Sequence, residues 1–193
     1  MTSDPSAVAT DGLSVPWITM QRDPDPISPE LSSALAEVVI EWGKFERGLQ
    51  MDLTVLRRYP HIKELTPEEP RSFNKVIELW RKSIRALYPT VVLYNNIASE
   101  LCSKGKIMSQ HRNRVIHGIW LRCDPEDTYE YHVLATTGID TVKSADSFYV
   151  DPEYLKAIST DIKTISDKLY EFAVNRMLHA QQGLLKEVAS PAP

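Results

Sequence analysis

The six residues Arg112-Asn113-Arg114-Val115-Ile116-His117 hold the side chains best suited to chemistry. A guanidinium is a planar fork of N–H donors that can grip two phosphate oxygens at once and offset negative charge building on them. An imidazole gains and loses a proton near neutral pH, so it can serve as base and then as acid. Asparagine adds a side chain that both donates and accepts. Arg112, Asn113 and His117 together suit the cleavage of RNA. That polymer carries its own nucleophile, the 2′-hydroxyl, and needs only a base beside it and a cation for the charge of the phosphorane. The scheme calls for no metal and no cofactor.

The surroundings fit an anionic substrate. Residues 101–123 contain Lys104, Lys106, Arg112, Arg114 and Arg122 and no Asp or Glu. The chain has 22 Lys and Arg and 26 Asp and Glu, so outside these five cations 17 face 26 acids, a balance of −9 against −4 for the whole. A basic segment within an acidic protein is a candidate phosphate contact, with Lys104, Lys106, Arg114 and Arg122 as its flanking members. The bland alternative is a solvated helix face with clustered charge. Other chemistries lack their residues. There is no glycine-rich nucleotide loop and no His-Glu-x-x-His. His111 and His117, six apart, point to different sides of a helix, which disfavours a metal site. Cys102 and Cys123 have no Cys-x-x-Cys spacing, which argues against a disulfide framework or zinc knot.

Helix geometry sets a condition. Asn113 and His117, four apart, share a face, whereas Arg112 and His117 are about 140° apart around the axis. Arg112 falls instead on the apolar line of Met108 and Val115. Glu46 likewise interrupts the line Val39, Trp42, Leu49, Leu53. Two opposite charges on two apolar stripes are expected to meet, because an unpaired buried charge is costly. A Glu46–Arg112 ion pair could be purely structural or could orient a working arginine. His117 could equally be a capping or core histidine. Trp42, Trp80 and Trp120 read as core or interface.

The elements that must position these residues are mostly helices. Residues 1–27, with four prolines among Ser, Thr and Asp, read as a flexible arm, and Met1 to Asp11 carry no Lys or Arg and no apolar core, so they do not read as a secretory signal. Ser28-Pro29-Glu30 is a helix start, and an apolar stripe from Leu31 to Leu56 marks a long helix ending before Pro60. A second helix is expected at about 71–87, a third at about 91–102, and a fourth from after Lys104-Gly105 to His117, with Gly118 as a left-handed cap. Residues 119–123, 129–134 and 147–150 read as short strands, a small hairpin or sheet. Asp151-Pro152-Glu153 starts a last long helix, and residues 187–193 form a loose tail. The expected fold is mainly α: one domain at 28–186, four to five helices, with a β excursion at about 119–150 before the last helix. Hydrophobic residues make up 42% and no apolar run reaches membrane-spanning length, so a reduced, cytoplasmic protein with no membrane partner is expected.

Arg-polar-x-x-x-His late in a helical bundle resembles the motif of the HEPN superfamily, many members of which are metal-independent endoribonucleases. Trp42-Gly43-Lys44-Phe45-Glu46 and the extended Arg-Asn-x-x-x-His-Gly-x-Trp at 112–120 are similar to that superfamily as well. The resemblance spans about 28–180. It implies a helical bundle that forms a homodimer around a shared cleft, with Arg112 on phosphate, His117 as acid and base, and Asn113 auxiliary. It also implies a toxin or defence effector with an antitoxin or regulatory protein as partner. In some such toxins a tyrosine two places after the histidine is modified by the antitoxin; that position is Ile119, which departs from this pattern. Two alternatives stay open: a non-catalytic relative that binds RNA, nucleotide or a protein partner through the same cleft, and a scaffold dimer in which the motif only joins helices.

Overall fold

The structure is a computed structural model that describes residues 28–65, 70, 72–117, 119–122, 131–134 and 147–182, with only the backbone described for 119–122, 131–134 and 147–149. The expected arm at 1–27, the tail at 187–193, the Gly118 cap and the side chains of Ile119, Trp120 and Arg122 lie outside the described residues. Among those described, the elements are α1 (Pro29–Leu56), α2 (Pro60–Glu64), α3 (Phe73–Leu87), α4 (Val92–His117), β1 (Ile119–Arg122), β2 (Tyr131–Leu134), β3 (Ser147–Val150) and α5 (Pro152–Gln181). The protein is mainly helical.

The two expected proline-marked starts, those of α1 and α5, are capped by the residue before the proline. Ser28 Oγ accepts from Leu31 N at 3.1 Å and Asp151 Oδ1 from Tyr154 N at 2.6 Å, satisfying N–H groups that a first turn leaves without partners. Proline follows each cap, where its missing N–H is no loss. The short α2, opened by Pro60, was not anticipated; five residues are too few to show a periodic pattern.

The expected break after Lys104-Gly105 is absent, and α4 runs without interruption for 26 residues. Gly105 serves packing rather than a turn. A Cβ built there would lie 2.6 Å from Ile77 Cδ1 and 3.1–3.2 Å from the Phe45 ring. Lacking that atom, α4 sinks against α1 and α3 at this point.

Cross-helix pairs define the topology. Trp42 and Phe45 meet Phe73, and Asp52 meets Trp80, so α1 and α3 run parallel. Glu30 pairs with Lys156 at 3.0 Å and Asp52 with Arg176, so α5 runs parallel to α1 as well. Against α4 the order reverses: Glu78–Lys106 and Tyr88–Tyr94 join it to α3, and His111–Tyr154 and Tyr94–His179 join it to α5. Helix α4 is thus antiparallel to three mutually parallel neighbours. Its C-terminal turns lie beside the start of α5. The strands pair antiparallel in the order β1-β2-β3, with Ile119 opposite Leu134 and Tyr131 opposite Val150.

Among the described residues the core is apolar with one ionic exception. Asp52, on the inner face of α1, accepts from Trp80 Nε1 at 2.8 Å and from Arg176 Nη2. The two charged side chains are only 5% and 2% exposed. One carboxylate therefore ties α1, α3 and α5 together.

These contacts predict three stability changes, each measurable by urea unfolding. Gly105→Ala should lose about 1–3 kcal/mol through overpacking, in spite of alanine's gain of ~1 kcal/mol in helix propensity. Gly43, also mid-helix but with nothing within 4 Å of its would-be Cβ, should gain about 0.5–1 kcal/mol as alanine. Arg176→Met strands a buried carboxylate and should cost about 3–5 kcal/mol.

Candidate active site

The motif occupies the last turns of α4. Val115 faces the core and is fully buried, which orients the turn, while Asn113, Arg114 and His117 are exposed and Arg112 is half-buried. Arg112 leaves the helix on the core side, as its alignment with Met108 and Val115 requires. Its long stem then carries the guanidinium outward, so the charged end stays near water while the methylenes pack. Nη1 reaches Asn113 Oδ1 at 3.0 Å and His117 Nε2 at 3.3 Å. The 140° divergence along the helix is bridged by side-chain reach, and the three expected residues converge at one place.

A guanidinium can only donate, so the 3.3 Å contact makes His117 Nε2 an acceptor. That role belongs to the tautomer with its proton on Nδ1, in which Nε2 is the atom able to take up a proton. Asn113 presents its carbonyl oxygen to Arg112 and leaves its NH₂ for another partner.

The expected Glu46–Arg112 pair is not formed: among the described residues no hydrogen bond or ion pair joins them. The direction of the helices explains why. Since α4 runs antiparallel to α1, a guanidinium leaning toward His117 moves toward lower-numbered residues of α1, away from Glu46. It meets Trp42, one turn earlier, with Cζ 6.0 Å from the ring centroid. Trp42 is itself buried and braced by Phe73 at 4.6 Å and Phe45 at 5.8 Å between ring centroids. Among the described residues no carboxylate neutralises Arg112, and its buried Nε has no acceptor.

The flanking cations divide. In the unbroken α4, Lys106, Asn113 and His117 fall on one face at helical spacing, whereas Lys104 lies on the face of His111. Neither lysine is free of acid. Lys104 pairs with Glu100 at 3.0 Å, and Glu100 also accepts from Lys168 at 2.6 Å. Lys106 pairs with Glu78, which accepts from Arg81 Nη2 at 2.8 Å as well. The acid-free segment of sequence is thus partly neutralised in three dimensions by α3 and by α4's own earlier turn. Arg114 is exposed, and its charge acts on the Tyr154 hydroxyl.

Tyr154 is a residue near the site that sequence analysis did not single out. Its hydroxyl lies 3.0 Å from His111 Nδ1, and burial raises its pKa, with Arg114 opposing the rise. The contact spans 43 positions, so no local pattern marks it; only the antiparallel placement of α4 against α5 does. Among the described residues, no group of three or more His, Cys, Asp or Glu is placed to hold a metal ion, and no helix is long and apolar enough to cross a membrane.

Compared with models of known protein families, with curated proteins and with solved structures, the chain shows no match.

The Glu78 cluster gives a pH prediction. Lys106 and Arg81 hold the Glu78 carboxyl down to about 2 through their hydrogen bonds. A carboxyl depressed below its unfolded value of about 4.3 stabilises the fold fully above that value, and this contribution fades as pH falls through about 2. Between pH ~4.5 and ~2 the thermal midpoint of the wild type should therefore fall more steeply than that of Glu78→Gln, with the two curves parallel above pH ~5.

Proposed function

We propose that this protein is a metal-independent endoribonuclease that cleaves RNA by attack of the 2′-hydroxyl, working as a HEPN-like homodimer. The observation that carries the proposal is the convergence of an unneutralised guanidinium, an asparagine and an acceptor imidazole nitrogen at Arg112 Nη1. A carboxylate partner would have cancelled the charge that a phosphate needs; none is present on Arg112 among the described residues. The toxin or defence role, an antitoxin or regulatory partner, and the placing of the sheet as an insertion in a HEPN-like bundle belong to the same proposal, with the sequence resemblance as their support.

The steps follow from the groups present. In the resting site Arg112 occupies His117 Nε2. A phosphodiester entering the site draws the guanidinium onto its non-bridging oxygens, a stronger, charge-assisted contact. This releases Nε2 to accept the proton of the 2′-hydroxyl. The deprotonated oxygen attacks phosphorus, Arg112 stabilises the added charge on the equatorial oxygens, and the 5′-oxygen leaves with a proton from an acid in the site. The products are a 2′,3′-cyclic phosphate and a 5′-hydroxyl. In a two-fold dimer with its axis near α4's C-terminal turns, two motifs would face one cleft. The His117 of one copy could then be the base and that of the other the acid.

Bulk RNA incubated with the purified protein should be cut in the presence of EDTA, leaving cyclic phosphate ends, and DNA of the same sequence should stay intact. His117→Ala should reduce the rate by about 10²–10⁴-fold. Arg112→Lys should also be impaired, because a point charge does not replace the fork. Since His117 is exposed, its substitution should move stability by no more than about 0.5 kcal/mol. Cleavage that requires magnesium, or that persists undiminished in His117→Ala, would overturn the proposal.

A further inference from the structure

The geometry points to Trp42 as a positioning residue for Arg112. This inference rests on the ribonuclease proposal for the meaning of the site, though not for the contact itself. Three observations lead to it. Arg112 has no acid to hold it among the described residues, yet a guanidinium on a long stem needs a constraint to present the same edge at every encounter. The indole of Trp42 lies under Arg112 Cζ at 6.0 Å. That indole cannot easily turn away, because it is 4% exposed and wedged by the rings of Phe45 and Phe73.

An aromatic face attracts a cation without donating or accepting a hydrogen bond. A carboxylate in the same place would hold the fork harder but would also occupy its donors and cancel its charge. The indole orients Arg112 while leaving the charge available to phosphate. It covers the inner side of the guanidinium, where the Nε is buried without an acceptor, and leaves Nη1 turned toward Asn113 and His117. Gly105 completes the device. The absence of a side chain there lets α4 settle on Phe45 and Ile77, which brings Arg112, two turns farther along α4, down to the level of the indole.

The test follows the Arg112 side chain directly in the full-length protein. In ¹⁵N-labelled protein the Nε–H signal of Arg112 is assigned by its loss in Arg112→Lys. It is then compared between wild type, Trp42→Phe and Trp42→Leu, alongside single-turnover cleavage of RNA. Over the indole, the signal is expected to be ring-current shifted and slow to exchange with solvent. Trp42→Leu should abolish the shift and speed the exchange, and should lower the cleavage rate about 3- to 30-fold, the range an aromatic–cation contact supports. Trp42→Phe keeps an aromatic face and should restore much of both, and the ring-current shift, which leucine cannot produce at any volume, separates an aromatic role from a space-filling one. An Arg112 signal unchanged in Trp42→Leu, or leucine and phenylalanine variants alike in both readouts, overturns the inference. If the wild type cuts no RNA, the ribonuclease proposal fails, and the shift and exchange of the Arg112 signal still decide whether Trp42 holds it. Should Trp42→Leu fail to fold, the wild-type and Trp42→Phe spectra suffice, since a wild-type signal without ring-current shift and protection overturns the inference.

Discussion

Everything near the motif depends on how deeply α4 sits against α1 and α3, and that depth is set at Gly105. With hydrogen in place of a side chain, the backbone of α4 rests on the ring of Phe45 and the end of Ile77. Closely packed interiors leave no slack for an added methyl group without displacing something. The consequence extends along the rigid helix: Arg112 comes within reach of Trp42 on α1, and His111 within reach of Tyr154 on α5. A glycine that weakens the isolated helix thereby improves the bundle, a trade of local propensity for tertiary contact.

The opposite end of the bundle is secured by different physics. Asp52 and Arg176 are almost fully buried, and their charges are tolerated because each finds the other, with Trp80 taking a second carboxylate oxygen. Nearby, the Tyr94 hydroxyl lies 2.7 Å from His179 Nδ1 and burial raises its pKa. Such a network contributes less net stability than its short contacts suggest, since desolvation offsets much of the attraction. What it does fix is alignment: a carboxylate with two directional donors permits one register of α1 against α3 and α5. The two ends thus differ in charge balance: Arg176 is matched by a carboxylate, whereas among the described residues Arg112 is not.

Much of this was legible from sequence, and the exceptions have physical causes. The Ser28 and Asp151 starts could be read because cap, proline and acid act locally. The apolar line of α1 was legible from spacing alone, and so was the position of Arg112 on the core side of its helix. Gly105 reads as a break in the sequence because a helix-interior glycine and a turn glycine look alike until the neighbouring helix is in place. Opposite charges on two apolar stripes do meet in this fold, but the pair is Asp52 and Arg176. Asp52 lies three residues past Leu49, and Arg176 four past Phe172, each one helical step from a buried apolar residue of its own helix. Glu46 and Arg112 satisfied the same rule on paper and failed it because antiparallel α4 carries the guanidinium the other way. Likewise, the basic segment at 101–123 looked acid-free only in one dimension; Glu78 comes to Lys106 from 28 residues away.

For the proposed chemistry, the decisive atom is the substrate's own 2′-oxygen. The site offers Arg112 for charge and His117 for the proton, and the substrate supplies the nucleophile. Once a cleavage position has been mapped in a short RNA, a second copy of that RNA with a single 2′-O-methyl group on the nucleotide 5′ to the scissile phosphate gives the most direct test. Cleavage should vanish at that phosphate alone and continue at other mapped positions. If the methylated linkage is cut at an undiminished rate, the 2′-hydroxyl is not the nucleophile and the account of this site is wrong.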